Sequence, residues 1–226
     1  MSRLLKLTTL AITAALANTG CLAANQAHHD KVIMFDLHDV ILEFSTTQAL
    51  SGFWQIPKKI KFLKSVKKYF NAKKCGQHVA IEKFALNSSL GQKYNTAVLQ
   101  TINPHEPNPA MVKLIKRLKN NGVKVYICSN IGEKSYQELV KRYPDAFNQI
   151  DGCICSRPQD DYPKKGLPKF WNQVPALISA EITEIPFVDN DQANLDAAQK
   201  ICPRIRGILF QNPQQLECEL IRHRLL

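Results

Sequence analysis

The chain has 226 residues, and 45% of them are hydrophobic, which is enough to bury the core of one domain or of one domain with an insertion. The formal charge is +11 at pH 7, so partners with negative charge are expected, among them phosphate esters, nucleic acid and anionic lipid. The sequence has no strict repeat and no Gly/Ser or Gln/Asn tract, which argues against a repeat or low-complexity protein.

Residues 1–24 have the pattern of a signal peptide. Arg3 and Lys6 form a short basic region, an apolar run over 7–17 follows, and small residues then predict cleavage that leaves a mature N-terminus near Asn25. The apolar run is too short to span a bilayer comfortably. We therefore expect a periplasmic or secreted protein with no transmembrane span after leader removal, and a lipoprotein is the less favoured alternative because the lipobox is poor. Loss of the two basic residues would lower the formal charge from +11 to +9.

The first predicted strand ends in a carboxylate. Four apolar residues over 32–35 run directly into Asp36, and His38 and Asp39 follow closely. Desolvating an ionised carboxylate is unfavourable by several kcal/mol unless it is paired or binds a cation. The pattern therefore predicts a function for Asp36 at the strand end, in preference to a simple strand-end cap.

Residues 42–104 are helical in character and contain no obvious strand pair. Pro57 suits the first turn of a helix, and apolar residues recur behind it at helical spacing. No Asp or Glu lies between Glu43 and Glu82. The many lysines here predict a solvated helix face, and attraction of an acidic substrate or an anionic surface is the alternative. The apolar positions are Ile60, Leu63, Val66 and Phe70, and the lysines are Lys58, Lys59, Lys61, Lys64, Lys67, Lys68, Lys73 and Lys74.

The rest of the chain alternates between helices and strands of ordinary length. Gly122 marks the stop between the first of these helices and its strand. This alternation predicts an α/β fold, a Rossmann-like doubly wound parallel sheet with helices on both faces. Helices are predicted over 108–121, 133–143, 167–178, 192–201 and 213–226, and strands over 123–128, 152–156, 185–190 and 206–210.

Three predicted strands end in a polar side chain, namely Asp36, Ser129 and Asp189. The carboxyl ends of parallel strands meet at one crevice, where ligands bind. Two carboxylates brought together there repel each other unless a proton or a cation separates them. Hard oxygen ligands with retained water are what magnesium uses, so the pattern favours a Mg²⁺ site.

The cysteines fit an exported protein only weakly. One of the seven belongs to the leader, and the pairing of the other six cannot be read from the sequence. Cys153 and Cys155 are expected on one face of a strand, and their spacing is not that of a zinc site. Buried free thiols are therefore expected at Cys128, Cys153 and Cys155. Cys202 and Cys218 are the pair to be tested for a disulfide bond.

Four motifs resemble, in the same order, those of the haloacid dehalogenase (HAD) superfamily, hydrolases that mostly cleave phosphate esters. They are FDLHDVI, YICSN, KKGLPKFW and FVDNDQANLDAA, each placed after a predicted strand. The helical stretch between the first two motifs has the position and size of the small helical cap of these enzymes. The resemblance implies a HAD-like α/β hydrolase domain over 25–226 with an inserted helical cap at about 44–104.

The resemblance also implies roles for individual residues. Asp36 would be the nucleophile that forms an aspartyl-phosphate. Ser129 would bind a phosphoryl oxygen, and Lys165 would neutralise charge on the nucleophile and the transferring group. Lys164 leaves the assignment of the lysine open.

The same resemblance implies a magnesium ion. Its ligands would be the Asp36 carboxylate, the main-chain carbonyl of His38 and an acid of the fourth motif. Adjacent acids are usual in that motif, whereas Asn190 here separates Asp189 from Asp191. Either acid is a candidate ligand, and either one is equally a candidate cap for the following helix.

His38 is the other departure from the family pattern. It stands where phosphatases of this family place a second Asp, the general acid for the leaving oxygen. Histidine can donate and accept a proton near neutral pH, so a working acid–base His38 is favoured over a lost activity.

The sequence thus predicts an exported, magnesium-dependent HAD-type phosphatase that cleaves a small phosphorylated substrate through an aspartyl-phosphate. The rival hypothesis is a catalytically degenerate member that binds an anionic partner through its lysine-rich cap. No specific nucleic-acid partner is expected, because the chain has the charge but no recognition motif.

Overall fold

A computed structural model of the chain describes residues 31–56, 89, 95–102 and 104–226. Its centre is a five-stranded sheet in the order β5–β4–β1–β6–β7, with every neighbouring pair parallel. This confirms the predicted α/β class with a parallel sheet. The strands are β1 (Val32–Phe35), β4 (Lys124–Gly132), β5 (Gly152–Ser156), β6 (Ile185–Asp189) and β7 (Ile205–Leu209). The strands β2 (Leu42–Phe44) and β3 (His105–Pro107) lie outside this sheet, and the helices α1 (Thr46–Trp54) and α2 (Asn95–Ile102) come between them in the chain.

The central strand β1 consists of four consecutive buried apolar residues. Such a run suits a strand that is covered on both faces, as parallel strands are. Phe35 pairs with Ile127 of β4 on one side and with Val188 of β6 on the other. The residue after β1 therefore emerges between the ends of its two neighbours.

Helices cover both faces of the sheet and enclose two groups of buried side chains. One group includes Phe35 and Leu114, and the other includes Met34 and Phe187. Adjacent residues of β1 thus point into opposite layers, as strand geometry requires. The helices that follow β3 are α3 (Pro109–Asn120), α4 (Glu133–Arg142), α5 (Pro144–Phe147), α6 (Pro168–Trp171), α7 (Val174–Leu177), α8 (Gln192–Ile201) and α9 (Pro213–Arg222).

A helical insert follows β1. Helix α1 (Thr46–Trp54) packs against α2 (Asn95–Ile102), and the approach is close, because a Cβ on Gly52 would lie 2.7 Å from the backbone nitrogen of Thr101. Two helices in close contact at this place in the chain fit the expected helical cap. The lysine-rich stretch predicted within the cap lies outside the described residues.

The prediction that residues 42–104 are helical in character was wrong at residues 42–44. Strand β2 (Leu42–Phe44) pairs antiparallel with β3 (His105–Pro107), and the two strands flank the insert on either side. Each strand has three residues and its partner lies some 60 residues away, so neither local alternation nor a turn motif marks the pairing.

The single helix predicted over 167–178 is divided into α6 and α7. Pro175 has no N–H with which to continue the helix. Gln173 lies at the junction, where its amide Nε2 donates to the carbonyls of Phe170 and Cys155. The side chain therefore satisfies the carbonyl of Phe170, which a continuous helix would have paired within itself, and ties the junction to β5 through the carbonyl of Cys155.

Every cysteine of the described residues is a free thiol. Cys202 and Cys218 are therefore not joined, contrary to the bridge considered for them. Cys128 and Cys155 are buried as expected, whereas Cys153 is only partly buried. The predicted leader lies outside the described residues. None of the helices over the described part of the chain is long and apolar enough to cross a membrane.

Candidate active site

Three of the predicted site residues lie toward the carboxyl edge of the sheet, two at strand ends and Ser129 within β4. Asp36 follows β1, and its backbone N–H donates to the carbonyl of Val188 in β6 at 2.7 Å. Asp189 is the last residue of β6 and is fully buried. Ser129 lies in β4, two residues beyond the partner of Phe35, and is also buried.

Lys165 joins the two carboxylates. Its Nζ lies 2.8 Å from Oδ1 of Asp36 and 2.6 Å from Oδ2 of Asp189. Only 1% of the Lys165 surface and 8% of the Asp36 surface are exposed. Two carboxylates and one ammonium leave one net negative charge, in a place where water does little to screen it. Such a site attracts a further cation.

The pKa values of these groups follow from their burial and from each other. Burial by itself lowers the pKa of Lys165, but the charges of Asp36 and Asp189 outweigh it and hold that pKa above the ordinary value. Burial raises the pKa of Asp189; Lys165 opposes that shift, and Asp36 adds to it. Lys165 is therefore a permanent ammonium at neutral pH.

The neighbouring thiol of Cys128 belongs to the same environment. Burial raises its pKa far above the ordinary range, and the charges of Asp36 and Asp189 add to the effect while Lys165 opposes it. Cys128 is therefore a neutral thiol at pH 7 and contributes no charge to the site.

The fourth motif uses its two acids differently. Oδ1 of Asp189 accepts the backbone N–H of Asp191 at 2.9 Å, and the amide Nδ2 of Asn194 donates to both oxygens of Asp189 at 3.2 Å. Asp191 is the N-cap of α8, and its Oδ1 accepts the N–H of Ala193. Of the two acids, Asp189 is therefore the one that the fold brings to Asp36 and Lys165.

His38 follows Asp36 in a tight turn. Asp39, in the left-handed region at φ 59°, donates its N–H to the carbonyl of Leu42, a conformation that a short polar side chain tolerates. The ring of His38 meets the ring of His105 edge to face, with centroids 4.6 Å apart, and His105 meets Phe44 in the same way at 5.9 Å. The predicted acid–base residue therefore contacts β3, the strand that leads out of the insert.

The structure distinguishes Lys165 from its neighbour. Lys164 is exposed, whereas Lys165 is among the largest fully buried side chains. The backbone of Lys165 is bonded on both sides, because its N–H donates to Oδ1 of Asn130 at 2.8 Å and its carbonyl accepts Nε1 of Trp171 at 2.6 Å.

Sequence reasoning missed four residues of this site: Asn130, Trp171, Asn194 and His105. Asn130 directly follows Ser129, and Trp171 and Asn194 lie within the third and fourth motifs, so proximity in the sequence was the available signal. Their roles depend on which backbone group or ring each side chain meets.

Comparison with known proteins identifies the fold. No family model matches the chain, and no curated protein matches it in sequence. Solved structures match it over most of its length. The HAD-hydrolase YfnB from Bacillus subtilis, bound to magnesium, is 15% identical, with a TM-score of 0.54 over 80% of this chain and 88% of that one. The chain has the haloacid dehalogenase fold.

Two further solved HAD structures extend the comparison. L-2-haloacid dehalogenase from Xanthobacter autotrophicus, with chloropropionic acid covalently bound, is 14% identical, with a TM-score of 0.53 over 87% of this chain and 84% of that one. A HAD family enzyme from Bacteroides thetaiotaomicron, a mutant in complex with magnesium and inorganic phosphate, is 16% identical, with a TM-score of 0.51 over 80% and 94%. The HAD fold is therefore found both in a dehalogenase and in an enzyme that binds magnesium and inorganic phosphate, and the fold alone does not decide the reaction.

The net charge of the site and its oxygen ligands suit a divalent cation. Among the residues that the structure describes, no group of three or more His, Cys, Asp and Glu side chains is placed to hold a metal. The described carboxylates at the site are Asp36 and Asp189, and both are in ion-pair contact with the ammonium of Lys165. A hard cation beside these carboxylates would offset the net negative charge that the single ammonium leaves.

Proposed function

We propose that this protein is a magnesium-dependent phosphatase that cleaves a phosphate monoester through an aspartyl-phosphate at Asp36. The observation that carries the proposal is the pair of contacts from Lys165 to Asp36 and Asp189. These contacts hold a carboxylate beside a buried cation at the crevice end of β1, where a substrate phosphorus would approach it. A buried cation of this kind also stabilises the charge that develops on a transferring phosphoryl group.

In the proposed first step, an Asp36 carboxylate oxygen attacks phosphorus while the bond from phosphorus to the leaving oxygen breaks. The leaving alkoxide takes a proton from His38, and Ser129 donates a hydrogen bond to a phosphoryl oxygen. In the second step, water attacks the phospho-enzyme and gives a proton to His38. Inorganic phosphate leaves, and Asp36 is regenerated.

Magnesium would be held by Asp36, by Asp189 and by the main-chain carbonyl of His38, and it would neutralise charge between the nucleophile and the phosphate. A phosphate dianion is repelled by a site with one net negative charge, so the ion would supply the positive charge that the described residues lack. At Asp189, the hydrogen bond that a metal would displace most easily is the shared 3.2 Å contact from Asn194.

Turnover of aryl and alkyl phosphates by the leaderless protein tests this proposal. Activity is expected with Mg²⁺ and is expected to be lost with a chelator and restored by added Mg²⁺. Asp36→Asn should abolish turnover with the fold intact, because an amide is a poor nucleophile of nearly the same shape. Retained activity in this variant would exclude Asp36 as the attacking group.

Two controls separate the alternatives. Release of chloride from 2-chloropropionate without phosphate hydrolysis would favour dehalogenase chemistry, in which the substrate carries one negative charge and needs less compensation. Absence of both activities would favour the degenerate binding protein. The observation that favours this alternative is the replacement of the usual acids by His38 and Asn190. Export by the predicted leader is part of the proposal and is tested separately by the mass of the mature protein.

A further inference from the structure

The loop that carries Lys165 has no regular secondary structure over 161–166, yet it places one of the most deeply buried side chains of the protein. Two successive residues of this loop, Asp161 and Tyr162, are in the left-handed region, at φ 57° and 49°. Residues other than glycine persist there when the surrounding structure holds them. The position of Lys165 must therefore come from groups outside the loop.

Three side chains supply that support, and we call them the lysine-positioning cluster: Asn130, Ser156 and Trp171. Oδ1 of Asn130 accepts the N–H of Lys165 at 2.8 Å, and Nε1 of Trp171 donates to its carbonyl at 2.6 Å. The hydroxyl of Ser156 donates to the carbonyl of Pro163 at 2.8 Å. The main chain is thus held on both sides of the Lys165 α-carbon and again two residues earlier.

The cluster has a local cause in β4. The pairing of β4 with β5 shifts between Ser129 and Gly132, and such bulges redirect side chains next to functional sites. Asn130 lies within this shift, which lets its side chain reach across to the loop. In the second motif, Ser129 is therefore the residue that faces the site, and Asn130 is the residue that supports the main chain of Lys165.

Trp171 connects the backbone contact to the ammonium group. Its ring is buried and meets the ring of Phe187 edge to face at 5.7 Å, and Nζ of Lys165 lies 5.3 Å from the centroid of that same Phe187 ring. One aromatic wall thus supports both ends of Lys165. Phenylalanine would pack in place of Trp171 but has no N–H to donate.

We propose that Trp171 and Asn130 are positioning residues that fix the main chain of Lys165, so that its ammonium falls between Asp36 and Asp189. A lysine side chain has four rotatable bonds, and two carboxylates alone do not determine where its α-carbon lies. The catalytic part of this inference rests on the proposed phosphatase function, whereas the structural part concerns Lys165 alone.

The test compares two variants that each lose one side-chain hydrogen bond to a backbone carbonyl. Trp171→Phe removes the bond to Lys165, and Tyr126→Phe removes the bond from the Tyr126 hydroxyl to the carbonyl of Leu177 in the same buried layer. Aryl phosphate turnover with Mg²⁺ gives kcat and KM. Acetylation of the folded protein by a small amine reagent, read by mass spectrometry, gives the reaction rate of Lys165 relative to the exposed Lys164.

Trp171→Phe is expected to raise the relative acetylation rate of Lys165 by about tenfold, the factor that corresponds to one lost buried hydrogen bond. Its kcat should fall by roughly 10- to 10²-fold, because a displacement of about 1 Å at a catalytic group has effects of that size. KM should change little, since the role concerns charge that develops in the transition state. Tyr126→Phe should change neither rate.

The outcomes are separable. Equal acetylation and equal kcat in the two variants would overturn the positioning role. Increased Lys165 acetylation in a protein whose wild type hydrolyses no phosphate would support the positioning role and overturn the phosphatase instead. Should Trp171→Phe fail to fold, Asn130→Ala removes the contact on the other side, and it must show the same increase in acetylation of Lys165 or the proposal is wrong.

Discussion

Lys165→Met tests the charge arrangement of the site through stability alone. Methionine has a similar length and no charge, so the variant leaves Asp36 and Asp189 buried and facing each other. Because Nζ lies 2.8 and 2.6 Å from their oxygens, those two oxygens are within about 5.4 Å of one another, where two like charges repel by about 3 kcal/mol at an effective dielectric constant of about 20. Removal of one partner from a buried ion pair typically destabilises a protein by about 3–5 kcal/mol. We therefore expect the free energy of unfolding to fall by about 3–5 kcal/mol at pH 7.

The loss should depend on pH with a defined sign. In the variant, burial and the charge of Asp36 raise the pKa of Asp189 in the folded state, and the opposing effect of Lys165 is gone. The folded state then binds a proton at Asp189 more tightly than the unfolded state. The stability difference between wild type and variant is therefore largest near pH 7 and shrinks as the pH falls through the raised pKa of Asp189.

Urea unfolding from pH 5 to pH 8 measures both effects, with the midpoint and the slope m recorded for each protein. The double variant Lys165→Met with Asp189→Asn removes one positive and one negative charge, and it should recover most of the loss. Lys164→Met is the matched control at an exposed position and should stay within about 0.5 kcal/mol of wild type. A loss below about 1 kcal/mol at pH 7, or a loss that does not change with pH, would refute the charge arrangement.

Three other predictions concern catalysis, processing and the thiols. His38→Ala should slow hydrolysis of an alkyl phosphate by roughly 10²–10⁴-fold and slow the burst with an activated aryl phosphate less; equal, small effects on both would remove His38 from catalysis. The intact mass of exported protein should correspond to a mature N-terminus near Asn25, and a retained leader would contradict export by cleavage. Alkylation of the folded, unreduced protein should modify the exposed Cys218 and leave the buried Cys128 unmodified, because burial keeps the Cys128 thiol protonated. Rapid reaction of Cys128 would show that the core beside Lys165 opens to solvent.

Local patterns were sufficient for the layout of the fold. The buried run of β1, the alternation of helices with strands and the polar residues at the ends of three predicted strands predict a parallel sheet with a crevice at its carboxyl edge, and the structure has that sheet. These features are encoded within windows of ten or so residues, because strand and helix periodicities repeat over that distance. The same patterns predicted that Asp36 and Asp189 lie close together, because parallel strands end on the same side of their sheet.

Contacts across the fold decided the rest. Lys164 and Lys165 are adjacent and chemically identical in the sequence, and only the path of the loop buries Lys165 between the two carboxylates. The sequence left Asp189 and Asp191 as equal candidates for the metal ligand. In the structure, α8 begins at Gln192 with Asp191 as its N-cap, and Asp189 is the acid beside Lys165. A side chain's partner depends on where its backbone is placed by segments far away along the chain, and no local periodicity carries that information. The sequence by itself therefore determined the strand ends and the kinds of side chain that stand there, and the tertiary structure determined which of those side chains meet.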